Sequence, residues 1–380
     1  MSSIACNPPL VVAISKEEYA ERRDRLGALL EERGIDALFV PPSSDLEYLT
    51  GIERDLPSFG NISYAHGWVA GAFLAPGREP LFVLPRMVVA FHLDGKPPPG
   101  AVVVNEDADG RTLFAEAVSS LGPVSRIALS QRVWAETVIE LRQVVPDAEL
   151  SEGSSLVNEL RRVKSTAELK LMAQACLIAR EAMDAVTPAV VPGVSMSILV
   201  EAVEHQLRVR GSRCPSFPTH IFTAGARRLD SDDATALEAL REGEVVLFDF
   251  GAVVDGYCSD FGRTIACGEP PAGYEEARAA MLEAQEAGRQ AAKPGALARD
   301  VNAACRAPIE AEGLGSAFRH RMGHGIGLDV HERPFLSPED ETPLELGMTF
   351  TDEPSVIVDG SFGVRIEDVI EVTATGGKIL

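Results

Sequence analysis

Two aspartates, Asp249 and Asp260, stand either side of an Asp255-Gly256 pair in the segment VVLFDFGAVVDGYCSDFGRTIA. Asp-Gly between apolar runs is the strongest short hairpin signal, because both residues tolerate the positive φ of a type I′ turn. With Asp255-Gly256 as a two-residue loop, Val254 pairs with Tyr257 and Asp249 lies opposite Gly262. Asp260 is on the same strand as Gly262, two residues away, and side chains along a strand alternate faces with a period of two. The two carboxylates therefore share a face as diagonal neighbours, roughly 7–8 Å apart at the backbone. Carboxylates converging from that separation can bracket a pair of cations ~3.5–4 Å apart. The alternative, an exposed polar face, sits poorly with the apolar run Val245 to Phe248, and burying an unpaired carboxylate is costly.

A second hairpin signal lies in GMTFTDEPSVIVDGSFGVRIEDVIEV, which carries Glu353 and Glu367. A two-residue loop would set these glutamates on opposite faces. A three-residue loop, Asp359-Gly360-Ser361, pairs Val358 with Phe362 and sets Glu353 opposite Glu367. Glycine makes the longer turn feasible, and that register is adopted because it gathers the carboxylates. Between the hairpins, HRMGHGIGLDVHE holds His320, His324 and His331. Glycines flank His324 and Ile326, which implies extended or closely packed backbone there. A lone histidine would more often be structural; three beside two carboxylate pairs point to a metal site. Four carboxylates and an imidazole suit Mn, Fe, Co or Zn rather than ions that prefer thiolates.

The elements that must position these residues form a duplicated pattern. Long helices are predicted from about 165 and 271, each followed by a Pro-Gly pair (Pro192-Gly193, Pro294-Gly295), a second helix (195–210, 297–313) and a hairpin. Such self-similarity predicts two helix–helix–hairpin halves about a pseudo-two-fold axis, with a site drawing on both hairpins. Ser165 and Glu168 form a capping box at the start of this region. Upstream, Ser15 and Glu18 cap a first helix, and the runs Ala37–Val40, Trp68–Leu74, Leu81–Leu84, Val102–Val104 and Ile127–Leu129 read as strands of an α/β domain. That domain shows neither a phosphate-cradling glycine loop nor a catalytic constellation, and its His66 and His92 are assigned structural or site-rim places. A chain of 380 residues accommodates two such domains, and the boundary is set near Ser151–Ser155, separating residues 1–152 from 153–380.

A net charge of −22 without a basic stripe argues against a nucleic-acid partner. No run approaches the ~20 apolar residues of a membrane span. The N-terminus lacks a basic region followed by an apolar run, and none of the six cysteines forms a C-x-x-C pair, so reduced thiols in a cytoplasmic protein are expected.

Taken together, these segments resemble those of the pita-bread metallopeptidase superfamily, which holds methionine aminopeptidases, prolidases, aminopeptidase P and creatinase. Asp249-x10-Asp260 followed by Phe261-Gly262-Arg263-Thr264 resembles its D…(Y)xSDxxRT motif, and His324 to Glu332 its HxxGLxxHE segment. Met348 to Pro354 resembles its MxxTxEP, and Gly363 to Asp368 its GxRxED. The resemblance implies a creatinase-type α/β N-terminal domain (1–152) and an α+β catalytic pita-bread domain (153–380), as in the prolidase/creatinase branch. It implies two divalent ions, manganese first and Co, Zn or Fe as alternatives, with Asp249, Asp260, His324, Glu353 and Glu367 as ligands and a metal-activated water as nucleophile. By the same resemblance Glu353 moves the proton, His331 acts on the reacting carbonyl, Arg365 holds a ligand carboxylate, His320 lies on the substrate side, and the protein is a homodimer.

One position departs from that pattern. Prolidases and aminopeptidase P usually carry a histidine where this chain has Asp232, in AGARRLDSDDAT. His220 is the candidate substitute. The expected activity is Xaa-Pro dipeptidase or aminopeptidase P chemistry on small peptides. The alternative keeps the metal site for another small amide or a lyase substrate, as in ectoine-hydrolase-like or dimethylsulfoniopropionate-lyase-like enzymes; a metal-free creatinase-like enzyme fits less well because all five ligands are present.

Overall fold

The computed structural model describes residues 13–54 and 64–380, and the chain divides into two units, Ile14–Arg161 and Arg162–Leu380. In the first, α1 (Lys16–Glu32) starts at Ser15, whose hydroxyl accepts the Glu18 N–H at 3.1 Å. β1 (Ala37–Val40) is wholly buried and lies inside a six-stranded sheet. It pairs antiparallel with β2 (Gly71–Leu74), which pairs with β3 (Leu81–Pro85), and β4 (Val102–Val104) adds parallel beyond. On the other side β5 (Arg126–Leu129) and β6 (Glu149–Glu152) are both parallel. The helices α2 (Ser44–Thr50), α3 (Arg86–His92), α4 (Gly110–Ser120) and α5 (Ala135–Val144) connect the strands. Phe39, Trp68, Phe73 and Phe114 pack together in its core.

The strand expected from Trp68 begins at Gly71, after a short 3-10 turn at Gly67–Val69. The stretch near Ser151–Ser155, where the domain boundary is expected, is the end of β6 and the start of α6 (Ser154–Arg161), where the Glu152 carboxylate accepts the Ser155 N–H at 3.2 Å. α6 belongs with the first unit. The Tyr48 hydroxyl donates to the Leu160 carbonyl at 3.1 Å, and Arg161 pairs with the buried Asp45 at 2.7 Å. The division thus falls at 161/162 rather than at 152/153.

The second unit is built twice over. α7 (Thr166–Val186), carrying the full Ser165–Glu168 capping box, and α8 (Met196–Val209) precede β7 (His220–Thr223), β8 (Val245–Phe250), β9 (Val253–Val254), β10 (Tyr257–Cys258) and β11 (Phe261–Ala266). α9 (Tyr274–Ala291) and α10 (Ala298–Ala311) precede β12 (Gly323–Gly325), β13 (Glu332–Leu336), β14 (Thr349–Asp352), β15 (Ser355–Val358), β16 (Phe362–Arg365), β17 (Asp368–Thr373) and β18 (Gly376–Ile379). Each half has its own core, one around Met183, Val203, Phe248 and Phe261, the other around Met281, Val301, Phe350 and Ile370.

Both hairpins adopt the expected registers. Val254 pairs with Tyr257 and Asp249 with Gly262, across a turn in which Asp255 and Gly256 have φ of 48° and 81°. Val358 pairs with Phe362 and Ser355 with Arg365, so the three-residue loop is the one formed. Each hairpin is also broken midway. The β8–β11 ladder ends at Phe250–Phe261, and the β9–β10 ribbon resumes at Val253–Cys258. The β14–β17 ladder ends at Asp352–Asp368, and the β15–β16 ribbon resumes at Ser355–Arg365. Register is kept across both breaks, and Asp260, Glu353 and Glu367 stand in them.

Among the described residues no helix is long and apolar enough to cross a membrane. The five described cysteines, Cys176, Cys214, Cys258, Cys267 and Cys305, are all free thiols; Cys6 lies outside the described residues.

The first break is tight at Gly251, where an added Cβ would lie 1.9 Å from the Ser259 carbonyl oxygen and 2.1 Å from the Ser216 hydroxyl. Backbone cannot yield as a flexible side chain can. Gly251→Ala is therefore expected to cost about 3 kcal/mol, read from denaturant unfolding curves. A loss below about 0.5 kcal/mol, the size of a neutral surface change, would contradict this packing.

Candidate metal centre

The two hairpins are joined where the acids gather. Glu367 bridges to Gly262 through both backbone pairs, its N–H donating to the Gly262 carbonyl at 3.0 Å and its carbonyl accepting the Gly262 N–H at 3.3 Å. Only glycine fits at 262, since a Cβ there would lie 2.6 Å from Glu367 Oε2. Arg263 reinforces the junction with a two-pronged contact to Asp368, at 2.8 and 2.9 Å. Glu367 is thereby set beside Asp260, from the other half of the repeat.

His324 enters on β12. Flanking glycines let that strand press against its neighbours, for a Cβ on Gly323 would meet the Thr351 carbonyl oxygen at 1.8 Å. Its Nδ1–H donates to the Gly325 carbonyl at 3.0 Å, which leaves Nε2 as the free electron pair. That nitrogen lies 3.5 Å from both Asp260 Oδ2 and Glu353 Oε1. Thr351 ties the pair together, accepting the His324 N–H at 3.0 Å and donating its hydroxyl to Glu353 at 3.1 Å. Asp260, His324 and Glu367 are all buried, with donor atoms within 4.8 Å of one another. Asp249 lies at the edge of the group, where its carboxylate accepts from Arg365 Nη1; the same guanidinium nitrogen is 3.7 Å from Glu367 Oε2.

These donors fit a divalent cation. Among the described residues, Asp260 Oδ1 and Glu367 Oε2 are buried and find no hydrogen-bond partner, an arrangement that an oxygen-seeking cation would satisfy. Crowding is visible in the acidities. Burial, with the neighbouring Asp260 adding to it, pushes Asp249 up to about 6 against the pull of Arg365. Burial and then Asp260, Glu353 and Asp249 hold Glu367 well above the usual carboxylate range. Burial also raises Glu353, opposed by His324.

The remaining expected residues surround this group. His331 is solvent-reaching, and its ring meets that of His324 edge-on at 4.2 Å. His320 donates from Nδ1 to the Arg321 carbonyl at 2.6 Å and takes the Ser355 hydroxyl at Nε2. Burial, followed by the charge of Arg365, lowers it to about 4, so it is neutral. His220 pairs across β7–β8 with Asp249. Its Nε2–H donates to Asp230 at 2.9 Å, and Asp232 Oδ2 lies 3.9 Å away on an exposed side chain. Sequence reasoning did not single out Asp230, since nothing in ARRLDSDDAT separates it from its two acidic neighbours.

Residues 170–374 match metallopeptidase family M24, and residues 22–163 match the creatinase/prolidase N-terminal domain. The chain belongs to that metallopeptidase family and is a metal-dependent peptidase using divalent metal ions. The Xaa-Pro dipeptidase of Pyrococcus horikoshii is 28% identical over 360 residues, covering 95% of this chain and 96% of the relative. The Xaa-Pro dipeptidase from Bacillus anthracis superposes with a TM-score of 0.80 at 30% identity, over 95% and 97% of the two chains. A recombinant prolidase from Thermococcus sibiricus gives 0.84 at 26% identity, over 97% of both. These likenesses bear out the creatinase-type N-terminal domain and the pita-bread fold.

Carboxyl pKa values pushed up by burial have a consequence for stability. Asp249 binds its proton up to about pH 6 when folded, against an ordinary value of 3.8. Its contribution is therefore full below 3.8 and is lost as pH rises through 6. The metal-free protein is expected to melt at a lower temperature at pH 7 than at pH 5, and added Mn to raise the melting point more at pH 7. Calorimetry on chelator-treated protein checks this; an unchanged melting point across that interval in both wild type and Glu367→Gln would refute the crowding.

Proposed function

We propose that this chain is an Xaa-Pro dipeptidase acting on small peptides through two divalent ions, manganese first, held by Asp249, Asp260, His324, Glu353 and Glu367. The observation that carries this reading is the convergence of buried, partnerless carboxylate oxygens from both hairpins around His324 Nε2. The names of the relatives support the substrate class.

When bound, divalent metal polarises the scissile carbonyl and lowers the pKa of a water at the site. The protein's part follows from its own geometry. Glu353, its pKa raised by burial and its Oε1 held by Thr351, takes the proton from the attacking water and delivers it to the leaving amine. His331, with one edge on His324 and the rest open, donates to the carbonyl oxygen as charge builds there. Arg365 keeps Asp249 and Glu367 turned inward. His320 presents a neutral imidazole on the substrate side.

A second reading concerns the pocket. His220, whose Nε2–H is held by Asp230, lies opposite Asp249 and is the candidate to take the place of the histidine that Asp232 replaces. The exposed Asp232 carboxylate suits instead a substrate with a cationic group, such as another small amide handled by the same metal site.

Two experiments separate these roles. Glu353→Ala should lower both metal content and rate, whereas His331→Ala should lower turnover by roughly 10²-fold with metal retained, near two ions per chain by elemental analysis; an emptied site in His331→Ala would make it a ligand. For the pocket, His220→Ala should cost about 10²-fold on Xaa-Pro dipeptides if His220 serves the carbonyl. If Asp232 recognises a cation, Xaa-Pro peptides will be poor substrates and Asp232→Asn will weaken binding of the true one. Rapid Xaa-Pro cleavage indifferent to both substitutions would defeat both readings.

A further inference from the structure

Besides the acid cluster and the Arg263–Asp368 contact, the second unit holds a deeply buried charge pair next to a residue of the site. Lys164 Nζ lies 3.0 Å from Glu332 Oε2, with side-chain exposures of 1% and 5%. Ion pairs this deeply buried give little net stability compared with apolar residues of the same shape, so stability alone does not account for this one. Glu332 immediately follows His331. Its other oxygen accepts the Asp329 N–H at 3.1 Å. The Gly327 N–H in turn donates to the Asp329 carbonyl at 3.0 Å, and the Gly327 carbonyl accepts the Cys258 N–H at 2.8 Å. A Cβ on Gly327 would lie 2.8 Å from Glu332 Oε1 and 3.0 Å from Lys164 Cε, so the segment is moulded around the pair. Lys164 is itself anchored, its N–H donating to the Gly347 carbonyl at 3.0 Å.

His331 shows the opposite situation. Its side chain reaches solvent, and its ring contact is with His324. The register of β12 on β13 shifts between His324 and Gly325, so the ladder fixes the backbone least where the imidazole must be aimed.

We propose that Lys164 is a positioning residue for His331. Through Glu332 it clamps the 326–332 segment, so that the His331 imidazole is held over the reacting carbonyl. The proposal rests on the reading of His331 given above. A misplacement of about 1 Å costs roughly 10²-fold in rate, so a clamp on the adjacent residue has leverage.

The test compares Lys164→Met with the double variant Lys164→Met/Glu332→Leu, each loaded with Mn and assayed on an Xaa-Pro dipeptide. Lys164→Met strands a buried carboxylate and should be destabilised. The double variant replaces both charges with apolar side chains and should recover wild-type melting. Both should keep their metal, and both should show kcat down about tenfold or more with KM changed far less. Recovery of kcat to within about twofold of wild type in the double variant would mean that the pair is structural, and loss of metal in either variant would mean that it acts through the ligands; both outcomes overturn the proposal. Failure of the wild type itself on Xaa-Pro dipeptides would count against the substrate reading and not this one. The imidazole nitrogen resonances of His331, identified by their loss in His331→Ala, then decide: moved in the double variant they uphold the clamp, unmoved they overturn it.

Discussion

Buried carboxylates repel one another, and this site depends on keeping several together. Asp249, Asp260, Glu353 and Glu367 come from two hairpins, and the fold gives them few protein donors to satisfy their oxygens. Such a group is tolerable with cations present and expensive without them. The surrounding structure follows from that conflict. Glycines at 251, 262 and 323 let backbones approach closely enough for the acids to meet. Arg365 supplies protein positive charge at one edge, and the Arg263–Asp368 contact locks the halves together.

The breaks in the two hairpins serve the same end. An unbroken ladder points side chains strictly to one face or the other. Where the ladder turns into a ribbon, Asp260, Glu353 and Glu367 can aim at a common point instead. Each half keeps an aromatic and aliphatic core behind its broken hairpin, so the irregularity is confined to the side where the acids converge.

Much of this was legible in the sequence, because hairpin register follows from turn type and both turns announce themselves as Asp-Gly. The positions of Asp249 and Asp260 followed by counting from the two-residue turn, whereas the three-residue loop that sets Glu353 opposite Glu367 was chosen because it gathers the carboxylates, since Asp359-Gly360 alone allows either loop length. The break in each ladder did not, since nothing in FGAVVDGYCSD says where pairing lapses. The boundary expected near Ser151–Ser155 rests on a polar, glycine-bearing stretch, yet Tyr48 and Asp45 tie the helix that follows to the first unit. Long-range partners such as Lys164 and Glu332 were invisible too. Their sequence neighbourhoods are ordinary, and only the tertiary fold brings them together.

Keeping register through both breaks gives the surface turns an unexpected authority. Asp359, Gly360 and Ser361 are exposed and touch none of the acids, but their number sets the phase of everything counted back from them. One residue more or fewer there would shift the register, carrying Glu353 and Glu367 to opposite sides and turning the buried side chains of the slipped strand away from the core. Length polymorphism, which surface loops ordinarily absorb, is thus closed to this loop, and the constraint on it is arithmetic rather than chemical.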